Sequence, residues 1–166
     1  MSNIYINKNQ FSDLINLVND VFFPLKKFFS KKEFTEIITN KKLKNSFYPL
    51  PIFFGVSKKV YLKIKEKNNL NIYYKKKFIS KAINVNFYSL NKPKIAKKIY
   101  GINYLKHPYY KKFINENYKF LSFDFHKIDK KNLKHKYFIS PSQFKEKYNI
   151  KNLQKLSSFH TRNVPH

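Results

Sequence analysis

Residues 48–88 read YPLPIFFGVSKKVYLKIKEKNNLNIYYKKKFISKAINVNFY, and within them the periodicity of the chain changes to that of strands. Residues 52–56 form a continuous apolar run, and residues 60–64 follow in near alternation, both patterns of β-structure. Asn68-Asn69 marks a turn into residues 70–74, which gives a hairpin, and a further strand is expected around residues 82–88.

Working upstream, Phe11, Leu14, Ile15 and Val18 recur at helical spacing, with Ser12 as the expected N-cap and Pro24 as the stop. Ser30-Lys31-Lys32-Glu33 is a capping box that opens a short helix with Phe34, Ile37 and Ile38 on one face. Downstream, Asn91 and Pro93 start a helix carrying Ile95, Ala96 and Ile99 and ending near Gly101. Residues 119–125 read as a strand and residues 127–136 as a charge-rich connection. Ser140-Pro141-Ser142-Gln143 begins another helix, which runs to about Tyr148 with Asn149 as its stop. Residues 155–159 form a last short strand. The order predicts an α+β fold with a small, mostly antiparallel or barrel-like sheet.

With 166 residues, 42% of them hydrophobic and 19% aromatic, there is apolar material for a core, so disorder driven by charge is excluded. The absence of cysteine excludes disulfides, thiolate metal sites and a cysteine nucleophile. Two glycines leave no room for a glycine-rich phosphate loop. The amino terminus has no apolar signal core, and no apolar run approaches the ~20 residues of a membrane helix, so a cytoplasmic protein without a membrane partner is expected. Lys and Arg number 35 against 9 Asp and Glu, a net charge of +26. Such a surface attracts any polyanion, and Tyr-Tyr-Lys-Lys-Lys-Phe at residues 73–78 could stack on bases. The competing account is compositional drift. Lys, Asn, Ile, Phe and Tyr, whose codons are rich in A and T, dominate throughout, and the sole arginine is Arg162.

The tail Phe159-His160-Thr161-Arg162-Asn163-Val164-Pro165-His166 is a strand end running into a polar loop that holds one Arg, one Asn and two His. That layout suits an anion-binding loop at the carboxyl end of a strand, where a guanidinium fork meets a tetrahedral oxyanion. It resembles the QTRNPxHxxH loop of the ATP sulfurylase (sulfate adenylyltransferase) family, with Thr161, Arg162, Asn163 and His166 in register. Four further stretches resemble the same family in the same order. Residues 22–29, FFPLKKFF, are similar to F-S-P-L-x-G-F-M, and residues 48–57, YPLPIFFGVS, are similar to W-P-x-P-V-x-L-D-V-S. His107-Pro108 stands where the family has H-P-G-V, and Ser140-Pro141 stands where it has T-P.

The resemblance implies a PUA-like, mostly β pseudo-barrel with flanking helices over residues 1–150. Residues 151–166 would then be the first strand and motif loop of an α/β nucleotidyltransferase domain. In that family sulfate attacks the α-phosphorus of ATP to give adenylyl sulfate and pyrophosphate, and catalysis is charge neutralisation and alignment. Carried over, Arg162 and His160 would bind sulfate, while Thr161, Asn163 and His166 would serve the ATP phosphates and the substrate loop. His160 departs from the family's Gln, which leaves another oxyanion open as acceptor, and Val164 stands where Pro is usual. No metal site and no bound cofactor are expected on this chain. MgATP and sulfate, or a related oxyanion, would be substrates of the complete enzyme, a homo-oligomer is possible, and the chain alone is expected to be inactive. His107 is expected to be structural, and His126 and His135 solvated. The rival from another class is a small basic RNA-binding or ribosome-associated protein with the same barrel and no catalysis.

Overall fold

The computed structural model describes residues 2–43, 45–126, 128 and 139–150. The connection at 127–136 apart from Ile128, the strand at 155–159 and the loop at 160–166 therefore lie outside the described residues. Strands β1 (Ser2–Tyr5), β4 (Phe54–Val56), β5 (Leu70–Tyr74), β6 (Lys77–Tyr88) and β7 (Lys119–Phe125) form a sheet in the order β1-β5-β6-β7-β4. The β1–β5 pair is parallel and the other three are antiparallel, so the sheet is a mixed half-barrel with β1 and β4 at its edges. A two-stranded ribbon pairs β2 (Lys42–Leu43) with β3 (Ser46–Phe47). Together with helices the strands give the expected α+β class.

Helix α1 (Lys8–Val18) begins earlier than its sequence suggests. Asn7, not Ser12, is the N-cap: its side chain accepts from Gln10 N–H at 2.9 Å while Gln10 Oε1 accepts from Asn7 N–H at 3.0 Å. This reciprocal pair satisfies two N-terminal donors at once, whereas a cap at Ser12 would discard the first helical turn. Helix α2 (Lys31–Asn40) is capped by Ser30 and Glu33 as expected and buries Phe34 and Ile37, with Ile38 half-buried. Residues 60–64 are not a strand. They lie in helix α3 (Lys58–Ile64), whose cap Ser57 accepts from Val60 N–H at 3.4 Å. Val60 and Ile64 pack inward at i, i+4 while Leu62 stays exposed, a helical face rather than an alternating one.

The hairpin consequently joins β5 to β6 rather than residues 60–64 to β5, and its two-residue turn is Lys75-Lys76. Both lysines have positive φ, 48° and 64°, the backbone that a tight two-residue hairpin demands. Strand β6 begins at Lys77, well before the expected start, because Lys77, Ser80 and Lys81 hide its alternation, and the run 52–56 yields only the three-residue β4. Helix α4 (Lys92–Tyr100) starts at Asn91 and Pro93 as expected and stops at Gly101, whose φ of 79° suits glycine. A 3-10 turn (Tyr104–Lys106) and α5 (Tyr110–Glu116) lead into β7, which has its expected bounds. Helix α6 (Pro141–Lys147) carries the expected Ser140–Gln143 capping box, with Tyr148 as its C-cap.

The main core gathers Leu14, Leu17, Phe28, Phe34, Ile72 and Leu121, all buried. Each contributes on the order of 1.5–3 kcal/mol relative to exposure. A satellite of Tyr88, Ala96, Phe113 and Phe120 joins α4 and α5 to the sheet. The segment between α1 and α2 adds Phe28 and Phe29 to the interior and is tied down by three hydroxyls that donate to its carbonyls. These are Tyr48 Oη to Phe22 at 3.0 Å, Ser122 Oγ to Phe28 at 3.0 Å and Tyr88 Oη to Phe29 at 2.7 Å. Burial pushes the Tyr48 hydroxyl up to about 12. Burial also raises that of Tyr88, with the Glu33 carboxylate adding to the effect. Both therefore remain protonated donors across the neutral range.

Candidate functional site

A cavity of about 490 Å³ opens between α1, residues 51–57 and α5. Its position follows from local chemistry. The Asn7–Gln10 box fixes the first turn of α1, and Gln10 Nε2 then donates to the Gly55 carbonyl at 2.8 Å, locking α1 against β4. On the other side Asn117, just past α5, donates to the Phe113 carbonyl at 2.9 Å and lies directly over Gly55. A β-carbon at Gly55 would fall 1.7 Å from Asn117 Oδ1, so only glycine permits this approach. Phe53 and Val56 supply apolar wall, and Asn7, Asp13, Tyr109 and Asn117 supply polar groups.

Asp13 gives the cavity its electrostatic character. Its carboxyl is raised by burial. The ion pairs among the described residues are Lys26–Asp20, Lys27–Asp124 and Lys65–Glu66, and Asp13 belongs to none of them. Lys112 and Glu116 of α5 line the opposite wall. This lining can hold a ligand by shape and hydrogen bonds. No group of three or more His, Asp or Glu able to hold a metal occurs among the described residues.

A smaller cavity, about 290 Å³, lies beside Pro24, Leu25, Lys27 and Asp124. Asp124 is held below the usual carboxylate range first by the hydrogen bond from Asn84 Nδ2, at 3.1 Å, and then by Lys27 Nζ, also at 3.1 Å.

His107 stacks on Tyr100, with ring centroids 4.1 Å apart and planes 13° from parallel, and its Nδ1 accepts from Tyr109 N–H at 3.3 Å. It is thus packed against Tyr100 and Tyr109, two residues that line the cavity. His126 is exposed and serves through its backbone, which accepts from Ser80 Oγ at 2.7 Å. His135, His160, Thr161, Arg162, Asn163 and His166 lie outside the described residues. Sequence reasoning passed over Gln10, Asp13, Gly55 and Asn117. Asn7-x-x-Gln10 was a readable signal, being a capping box one residue type away from the Ser and Thr versions. The Gly55–Asn117 approach joins residues far apart along the chain and carries no local pattern.

Two of the stretches that resemble ATP sulfurylase border these features. Within residues 48–57, Pro51, Phe53, Gly55, Val56 and Ser57 line the larger cavity and Ser57 caps α3, while residues 22–29 form the tied segment beside the smaller cavity. Compared with known proteins, residues 1–124 match the model of the PUA-like domain. The whole chain is similar to the sulfate adenylyltransferase of Ignicoccus hospitalis, at 24% identity over 168 residues that cover 44% of that protein. It is equally similar to that of Persephonella marina, at 24% identity over 172 residues and 45% of its length. The chain therefore spans less than half the length of these relatives. No helix among the described residues is long and apolar enough to cross a membrane. A family match over three quarters of the sequence, on a mixed half-barrel with its helices packed as described, places this chain in the PUA-like domain family.

Proposed function

We propose that the chain is the N-terminal portion of an ATP-sulfurylase-like enzyme: residues 1–150 a PUA-like domain, residues 151–166 the start of an α/β catalytic domain. One observation carries this reading. The similarity to two sulfate adenylyltransferases runs through the full chain and so continues past residue 124, where the PUA-like match stops, into the segment holding Arg162.

On this reading a sulfate oxygen attacks the α-phosphorus of MgATP, the new P–O bond forms, and pyrophosphate leaves with the electron pair of the broken one. Two anions must meet, so cationic and hydrogen-bonding groups carry the work. Arg162 offers its planar fork to the sulfate. His160 adds an N–H donor where the family pattern has Gln. Thr161 and Asn163 order the loop against phosphate, and His166 neutralises charge on the ATP phosphates. The PUA-like part provides the scaffold from which this loop emerges.

The test is sulfate-dependent pyrophosphate release from MgATP by the protein as its gene encodes it. Arg162→Ala is expected to lower turnover by roughly 100-fold or more while leaving the melting temperature unchanged. Turnover that is absent in the wild-type protein, or indifferent to Arg162, refutes the assignment.

A further inference from the structure

The larger cavity reverses the charge balance of the chain around it. Lys and Arg outnumber Asp and Glu by 35 to 9, yet the cavity is lined by two carboxylates, Asp13 and Glu116, and one lysine, Lys112. Asp13 stands on α1 and Glu116 at the end of α5, on opposite walls. Neither belongs to an ion pair among the described residues. Lys112, one turn before Glu116 on the same helix, is exposed and does not pair with it. Asp13 is half-buried, and that burial disfavours its charge. In a chain so rich in lysine, this carboxylate is held at a cost with no cationic partner among the described residues.

Much of the remaining lining is aromatic: Tyr5, Phe53, Tyr100, Tyr109 and Phe113. Packing presets the inner rings. Tyr100 is held by its stack on His107, and Phe53 makes edge contacts with Phe34 and Phe113, each at 5.7 Å between centroids. Tyr5 and Tyr109 are 65% and 62% exposed, so they leave ring surface open to a ligand. Ring faces attract cations through their quadrupole and accept methylene groups by apolar contact. An anion gains nothing here, because both carboxylates repel it. A hard metal ion needs several oxygen ligands, and no group of three or more acidic or His residues able to supply them occurs among the described residues. At about 490 Å³ the cavity has the size of a small-molecule site.

We propose that this cavity binds a protonated aliphatic diamine or polyamine, with one ammonium on Asp13, a second on Glu116 and the methylene chain against the aromatic wall. Two carboxylates on opposite walls call for two positive charges, since a single ammonium on one leaves the other unmatched. The aromatic lining calls for an alkyl body between those charges. The proposal draws on no residue of 160–166 and does not depend on the catalytic reading.

The experiment is equilibrium dialysis of the protein as its gene encodes it against radiolabelled putrescine, at neutral pH and physiological salt. Saturable binding is expected, and a chain of net charge +26 repels a dication elsewhere, so undirected attraction does not imitate it. Asp13→Asn weakens binding by about tenfold. Glu116→Gln weakens it by about threefold, being exposed and screened by water. Butylamine, with one ammonium, binds about threefold more weakly than putrescine and is indifferent to Glu116→Gln. Tyr109→Leu costs about threefold, whereas Tyr109→Phe, which keeps the ring, binds as wild type. Lys112→Gln, which removes the one repelling charge of the lining, tightens binding. Glu116, Tyr109 and Lys112 are exposed, so folded variants are expected and a thermal melt verifies them. Absence of saturable binding, binding indifferent to Asp13→Asn, or displacement of putrescine by magnesium at equal concentration overturns the proposal.

Discussion

Replacing Gly55 with alanine tests the junction that shapes the larger cavity. The added methyl group would sit 1.7 Å from Asn117 Oδ1, 2.6 Å from its Cγ and 3.1 Å from its Cβ, so the side chain must leave. Leaving breaks its 2.9 Å bond to the Phe113 carbonyl, which costs about 1 kcal/mol. Forcing the neighbouring packing to accommodate the displaced amide adds about 1–3 kcal/mol. Gly55 is not among the positive-φ residues, so backbone strain contributes nothing and the expected loss comes from displacing the Asn117 side chain. Equilibrium urea unfolding should show a midpoint lowered by about 1 M or more, with an unchanged slope. The decisive comparison is Gly55→Ala in an Asn117→Ala background. There only the 3.1 Å contact with Cβ remains, and the substitution should cost less than about 1 kcal/mol. If the penalty is the same in both backgrounds, Asn117 is not what makes glycine necessary, and the account of this junction fails.

Other outcomes follow from the titratable groups. Tyr48 and Tyr88 keep their protons when folded but lose them near the ordinary phenol value, about 10, when unfolded. The unfolded state thus binds fewer protons above that pH. The stability these two provide is complete below it and declines as pH rises toward the folded values, by up to about 1.4 kcal/mol per unit for each. Alkaline denaturation of wild type, Tyr48→Phe and Tyr88→Phe measures this, and the phenylalanine variants should show a shallower decline. Asp13 follows the same sign at lower pH: burial disfavours its charge, so its cost is present at neutral pH and relieved as pH falls. Asp13→Asn should raise the melting temperature near neutrality and leave it unchanged below the carboxylate range. A lower melting temperature at neutral pH would show instead that the charge is used.

Legibility in the sequence tracked how local each cause was. The capping boxes at Ser30 and Ser140 and the Asn91 start lie within four residues, and their helices begin where the sequence places them. Strand β7 was equally plain, with Leu121, Phe123 and Phe125 recurring on one face at a period of two. Residues 60–64 misled because Val-Tyr-Leu-Lys-Ile has no strict period, and the cap that decides the matter, Ser57, precedes it. The extent of β6 was hidden because its first residues face solvent, and its pairing with β5 depends on a turn of two lysines rather than Asn-Gly. The larger cavity was illegible for a different reason: Gln10, Gly55 and Asn117 meet only after the sheet has assembled.

The three hydroxyls that tie down the segment between α1 and α2 all end on carbonyl oxygens, never on side chains. A clasp of that kind is indifferent to the identity of the residues it grips, since every amino acid presents the same oxygen. Over evolutionary time this leaves exposed positions such as Phe23 and Lys26 free to follow mutational bias without loosening the loop. Selection need guard only the donors. Two of those are tyrosines, a residue that A- and T-rich codons supply readily. The fold can thereby absorb a pervasive shift in nucleotide composition while its architecture stays in place.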